Sequence, residues 1–289
     1  MSLKYFFKIG DNNYLVDVLR QFLYSRWHVS TPAVQVCSTV FDRSMQSMLA
    51  EFRMHHGLDR VLNIFPMGSL LDAATYQKIG DEMSDAEIAT AALHDIAIKK
   101  LLYGDPCADW DTVGTVIAKD QFIGWGHKDI TENCFDYCKE QLRVVGKTMK
   151  SPYWGDKAMK ANIYQLYLTE DVAGMKKGVQ SRQFINAVKY LKQAVKGKIP
   201  VVTGVDDEAG SPNKDKVTDH FVTIVGMGTD ARGKYFHFFD NAVGDKTAGT
   251  SENNKFYPDC DAFMITGTAN NEYARQRREY IVTQVRESN

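Results

Sequence analysis

A cysteine followed far downstream by a histidine, and then by an aspartate or asparagine, is an order from which a chain can build a nucleophilic thiol site. In this 289-residue chain the candidates are Cys134 in "TENCFDYCKEQLRVVG", His220 in "TDHFVTIVGMG", and Asp240 and Asn241 in "KYFHFFDNAVG". Such chemistry needs a thiolate, an imidazole beside it to exchange a proton, and a third group behind the imidazole to orient it. Each residue alone has a plainer explanation. A cysteine near a helix start is usually a small buried hydrophobe, a histidine at a strand start a capping or surface residue, and Asp-Asn after a strand a turn. Taken together, in this order and on matching elements, they point to one site.

The elements that must position them are readable from periodicity. Thr131 is placed to cap a helix that carries Cys134 in its first turn, where unpaired backbone amides lower a thiol pKa and can hold a developing oxyanion. Cys138 lies one turn further in, and Gly146 ends the helix. His220 opens an apolar run, and "TDARG" separates it from "KYFHFFDN", a hairpin signature. A turn at Ala231 and Arg232 brings positions near 240 opposite 221 to 223, at the histidine's end of the sheet. "SRQFINAVKYLKQAVKGK" reads as an amphipathic helix, and "IPVVTGV", "AFMITG" and "EYIVTQV" as further strands.

The first part of the chain is helical. Leu15, Val18, Leu19, Phe22 and Leu23 form one stripe, and Met45, Met48, Leu49 and Phe52 a second, ended by Gly57. A third helix, "SLLDAATYQKIG", closes at Gly80, and Ser84 with Glu87 makes a capping box for a helix over 84–104. The expected organisation is a helical domain over 1–82, a helical linker over 83–118 and a second domain over 119–289. Helices followed by a mostly antiparallel sheet make an α+β chain.

Composition bounds the function classes. Charged residues are 25% and the formal net charge is −1, so no global basic field recruits nucleic acid or anionic lipid. Five cysteines, an odd number over a long chain, argue against a disulfide-stapled scaffold. Cys134 and Cys138 lack a second pair to complete a zinc site, and no H-E-x-x-H or regular calcium loop occurs, so neither metal nor cofactor is expected. "GVDDEAGSPNKDK" reads as a mobile loop leading to His220. No stretch is long and apolar enough to span a membrane. The N-terminus shows no signal peptide.

The segment "DHFVTIVGMGTDARGKYFHFFDN" resembles the histidine-to-Asp/Asn segment of papain-like cysteine peptidases, closest to compact bacterial branches that include bacteriocin-leader peptidases and cell-wall amidases. "ENCFDYCKEQLRVVG" is similar to their nucleophile helix. The resemblance covers roughly residues 120 to 268 and implies a papain-like fold, with the nucleophile helix packed on an antiparallel sheet. It makes Cys134 the nucleophile, His220 the base and then acid, and Asp240 the orienting group, with Asn241 the rival for that role. Where the family places an oxyanion-donating glutamine shortly before the cysteine, this chain has Lys128. Gln121, Asn133 or backbone amides are left as donors, and Gln121 is the favoured side chain. The helical domain resembles a peptidoglycan-binding three-helix module in Val18-Leu19, Phe22, Phe41-Asp42, Phe52, Gly57-Leu58 and Gly68 to Gly80. The insert "SRWHVSTPAVQVCST" departs from it.

These resemblances together imply a cysteine amidase or endopeptidase acting on peptidoglycan stem peptides or cross-links, an interbacterial effector fitting the same pattern. The implied partners are peptidoglycan or its peptide fragments and a protein inhibitor or immunity partner. Such a protein would be made in the bacterial cytoplasm and delivered by a specialised route to the periplasm or cell wall. Two alternatives stand beside it: a cysteine protease with a protein or peptide substrate, and a non-catalytic wall-binding protein on an inactivated peptidase fold.

Overall fold

The chain divides into two units, Met1–Asp105 and Pro106–Asn289. The computed structural model describes residues 5–8, 14–26, 41, 43–58, 70–83, 105–128, 130, 133–151, 162–210, 215–269 and 278–289.

In the first unit β1 (Tyr5–Lys8) pairs antiparallel with β2 (Leu70–Asp72), Tyr5 opposite Asp72. Helices α1 (Tyr14–Arg26) and α2 (Arg43–His55) lie between them in sequence, and α3 (Ala73–Glu82) follows β2 directly. Helical spacing buries Leu19, Phe22 and Leu23 of α1 with Met45, Met48, Leu49 and Phe52 of α2. The Phe22 and Phe52 rings meet edge-on at 6.4 Å. Gly57 ends α2 in the left-handed region, φ 64°, where a Cβ would be strained. Arg53 is buried but satisfied, its guanidinium donating to the Leu58 carbonyl at 3.0 Å and to the Thr75 hydroxyl. Two expectations change here: the β1–β2 ribbon joins the helices, and α3 runs through Gly80 to Glu82. The expected helix over 84–104, and Cys37, lie outside the described residues.

The second unit holds α4 (Cys134–Arg143), β3 (Ile163–Gln165), β4 (Tyr167–Glu170), β5 (Lys176–Val179), α5 (Ser181–Lys196) and β6 (Val201–Asp206). It continues through β7 (His220–Asp230), β8 (Gly233–Phe239), α6 (Lys246–Gly249), β9 (Lys255–Asp259), β10 (Met264–Ala269) and β11 (Arg278–Arg286). Strands β6 to β11 pair antiparallel in the order β10-β9-β8-β7-β6-β11, and β10 also pairs with β11, Thr266 opposite Ile281. That last ladder closes a six-stranded barrel, with β3 attached outside on β11. The β4–β5 hairpin stands apart as its own ribbon.

The closed barrel corrects the expected fold class. A papain-like α+β arrangement with a helix on an open antiparallel sheet is not what the chain forms. Of the six barrel strands, the one that periodicity missed is β9: "KFYPD" is short and contains Pro258, which demotes it as a strand by pattern. With β9 in place, β10 is carried round to β11 and no edge is left between them. Phe238 on β8 touches Tyr280 on β11, with ring centroids 6.1 Å apart, although the two strands are not neighbours. That contact therefore crosses the barrel interior, which Phe256 of β9 shares, stacked on Phe238 at 4.1 Å.

β6 and most of β7 are buried along their whole length, because one face looks into the barrel and the other lies under α4 and α5. Phe135, Cys138 and Leu142 of α4 pack on Val202 and Phe221. Outside the barrel, Val113 bridges Met227 and the Val116 amide donates to the Val225 carbonyl, extending the ladder where β6 has ended. Cys107 and Cys260 form a disulfide across a separation of 153 residues. The odd cysteine count had argued against such a staple. It fails as a guide because pairing needs two proximate thiols, whatever the total.

Candidate functional site: Cys134, His220 and Asp240

Helix α4 begins at Cys134 itself, and Asn133 is its cap: the Asn133 side chain accepts from the Asp136 amide at 3.2 Å. Cys134 is thus the first helical residue, earlier than a cap at Thr131 places it. The helix is fastened to the segment that precedes it by polar contacts on its otherwise apolar face. Gln141 accepts from the Ile123 amide at 2.6 Å and donates to the Gln121 carbonyl at 3.0 Å. The Tyr137 hydroxyl accepts from the Gly126 amide and donates to the Ile130 carbonyl, holding the loop before the helix, and the exposed Trp125 indole stacks on its ring.

His220 is the first residue of β7, opposite Val205 of β6. Its Nε2 lies 3.0 Å from Asp240 Oδ1, and Cys134 interacts with the same imidazole, leaving Nδ1 as the nitrogen available to it. Asp240 follows β8 directly and is 2% exposed. Its Oδ1 also accepts from the Ala242 amide at 2.9 Å, and its Oδ2 from the Tyr280 hydroxyl at 3.1 Å. With both oxygens occupied, the carboxylate has one orientation, and it presents that orientation to the imidazole.

The electrostatics follow from this order. Burial pushes the Cys134 thiol up, but hydrogen bonding and charge from His220, with the amides of Phe221 and Phe135, hold it below the usual thiol range. Burial pulls His220 down, and Asp240 and Cys134 more than reverse this, raising it to about 10. Burial pushes Asp240 up, and the His220 imidazolium, the Ala242 amide and Tyr280 bring it below the usual carboxylate range. The arrangement favours a thiolate–imidazolium pair backed by a buried carboxylate.

The remaining sequence candidates fall elsewhere. Asn241 does not reach His220; its amide nitrogen bonds the Cys134 and Phe221 carbonyls and the Cys138 sulfur. Gln121 accepts from the Ala118 amide at 3.4 Å through its side-chain oxygen, at the start of its own short helical turn. Cys138 is fully buried, and that burial raises its thiol far above the usual range. Sequence reasoning missed Gln141 and Tyr280. Gln141, a polar residue on the apolar stripe of α4, carried a local signal. Tyr280 reaches Asp240 across the barrel, and nothing local marks it.

Comparison with protein-family models, with curated proteins and with solved structures finds no match. The papain-like resemblance is corrected by the fold itself, since the closed barrel takes the place of the expected architecture. Cys107 and Cys260, bonded to each other, are also removed from nucleophilic and thiolate-ligand roles. Amide hydrolysis by a cysteine peptidase came from that resemblance and falls with it. The chain is accordingly not assigned as a papain-like peptidase or as a cysteine-dependent amidase. Cys134 and Cys138 are the free cysteines among the described residues, and Cys134 alone meets an imidazole.

Proposed function

We propose that the barrel unit carries a reactive-thiol site, in which Cys134 forms covalent adducts with electrophilic carbon. The observation that carries this reading is the continuous contact from Cys134 through His220 to Asp240. Cys134 Sγ is the attacking atom, its thiol held below the usual range by its neighbours. As the S–C bond forms, the electron pair displaced from the electrophile is neutralised by the proton that His220 holds. Asp240 keeps the ring oriented and charged, and Tyr280 keeps Asp240 in place.

Alkylation by iodoacetamide tests it, with the modified residue read by mass spectrometry from pH 5 to 10. Cys134 in the folded protein is expected to react at pH 6 roughly tenfold or more faster than the same cysteine in the urea-unfolded chain. His220→Ala removes the advantage. Equal rates in folded and unfolded protein at pH 6 would sink the proposal.

A second reading is a non-catalytic binding module. It is favoured by burial: His220 and Asp240 are 8% and 2% exposed, and Cys134 packs against the apolar cluster beneath α4. On that reading Cys134 stays unlabelled in the folded protein at every pH, and the three residues serve to join helix and barrel.

A further inference from the structure

Asn241 directly follows the carboxylate that holds His220, yet it faces the other way. Its Nδ2 lies 3.0 Å from the carbonyl oxygen of Cys134 and 3.1 Å from that of Phe221. The first carbonyl belongs to the residue bearing the sulfur. The second belongs to the residue next to His220 on β7. Cys138 Sγ lies at 3.0 Å from the same nitrogen, so three acceptors surround it. The orientation of the amide is therefore decided: turned over, its oxygen would face two carbonyl oxygens.

The Oδ1 end has no hydrogen-bond partner among the described residues, although it is buried. Buried polar atoms are normally paired. An orphaned oxygen is tolerated here in exchange for two directed N–H groups, which no apolar residue of that volume supplies. Away from the cysteines and His220, the contact between α4 and β7 is apolar, including the Phe135 and Phe221 rings at 4.9 Å. Dispersion contacts have shallow, undirected minima and leave a helix free to shift by fractions of an ångström. Hydrogen bonds weaken steeply with misalignment and do not. Asn241 also presents its own carbonyl to the Trp125 amide at 3.0 Å, which ties the loop before α4 to the same point.

We infer that Asn241 is a positioning residue for the thiol site: by bridging the carbonyls of Cys134 and Phe221 it sets the separation between sulfur and imidazole. This deepens the reactive-thiol reading and rests on it. Asn241 touches neither the reacting sulfur nor the imidazole; it acts through the backbone on which both are mounted.

The test is the pH profile of Cys134 alkylation in wild type, Asn241→Ala and Asn241→Leu, with circular dichroism and thermal melting of each. Both variants lose the two donors, and Asn241→Leu keeps the volume without adding charge. The expected result is a profile midpoint displaced to higher pH by about one unit, a tenfold smaller thiolate fraction below the midpoint. Should Asn241→Ala not fold, Asn241→Leu carries the same expectation. A lower melting temperature with an unmoved midpoint would assign Asn241 a purely structural role and overturn the inference. A wild-type profile identical to that of the unfolded chain overturns the thiol reading itself and takes this inference with it, so the two failures are told apart by the wild-type curve.

Discussion

Replacing Asp240 by Asn exchanges one buried oxygen for a nitrogen and removes the charge behind His220 while keeping the volume. The carboxylate oxygen lies 3.0 Å from Nε2, with Asp240 2% exposed. At an effective dielectric near 20, two unit charges at that spacing attract by roughly 5 kcal/mol. Losing one partner of such a pair typically moves the other by about 1–3 pKa units, or about 1.4–4 kcal/mol. Taking about two units as the working figure, the imidazolium loses that much support and, below the wild-type midpoint, the Cys134 thiolate it stabilises becomes about a hundredfold scarcer. Reactivity falls by less. A more basic thiolate is a better nucleophile, with a Brønsted slope of about 0.4–0.5, which returns roughly tenfold. The net expectation is alkylation about tenfold slower below the wild-type midpoint and faster than wild type above the variant's midpoint, so the two pH–rate curves cross. Stopped-flow or quenched mass-spectrometric alkylation measures both limbs. Superimposable curves would refute the charge argument. A uniform loss at all pH values would show that Asp240→Asn displaced the ring instead of discharging it.

Two further outcomes concern stability. The disulfide between Cys107 and Cys260 spans a sequence separation of 153 residues, so a Cys107→Ser/Cys260→Ser variant is expected to lose about 2–5 kcal/mol in urea unfolding with Cys134 alkylation unchanged; an unmoved urea midpoint would contradict this. The second concerns Asp206, whose carboxyl lies 2.5 Å from Lys176 and beside Asp219. Burial first, and then Asp219, raise Asp206 to about 7 against the pull of Lys176. Its folded pKa exceeds the unfolded value of about 3.9, so the native state holds the proton longer and stability falls as pH rises between those values. Asp206→Asn, which imitates the protonated form, should narrow the melting-temperature gap between pH 5 and pH 8; an unchanged gap would remove Asp206 as its source.

How far the site was legible depended on the range of each interaction. The hairpin joining β7 and β8 announces itself locally, in "TDARG" between two apolar runs, and its register puts Thr223 opposite Phe239. That is enough to bring the end of β8 to the histidine's end of β7. The choice between Asp240 and Asn241 is different. Adjacent residues leaving a strand point to opposite sides, so a period of two says that they differ and not which one meets His220. The outcome depends on which side is the barrel interior, where Tyr280 waits, and which lies under α4. Gln121 shows the same limit: the sequence places a glutamine upstream of the cysteine, and only the fold shows its side-chain oxygen meeting the Ala118 amide three residues before it.

Local pattern by itself determined the amphipathic stripes of α1, α2 and α5, the cysteine in the first turn of α4, the histidine at the mouth of β7 and the turn that returns β8 beside it. These follow from helix and strand periods, caps and turn residues, which act over a few positions. Tertiary structure alone decided that the strands close into a barrel, because closure needs β10 to meet β11 and depends on the proline-containing β9 between β8 and β10. It also decided that Cys107 meets Cys260, that Tyr280 fixes Asp240, and that Asn241 grips the peptides of Cys134 and Phe221. Each of these joins residues brought together by the path of the whole chain, and no local period records that path.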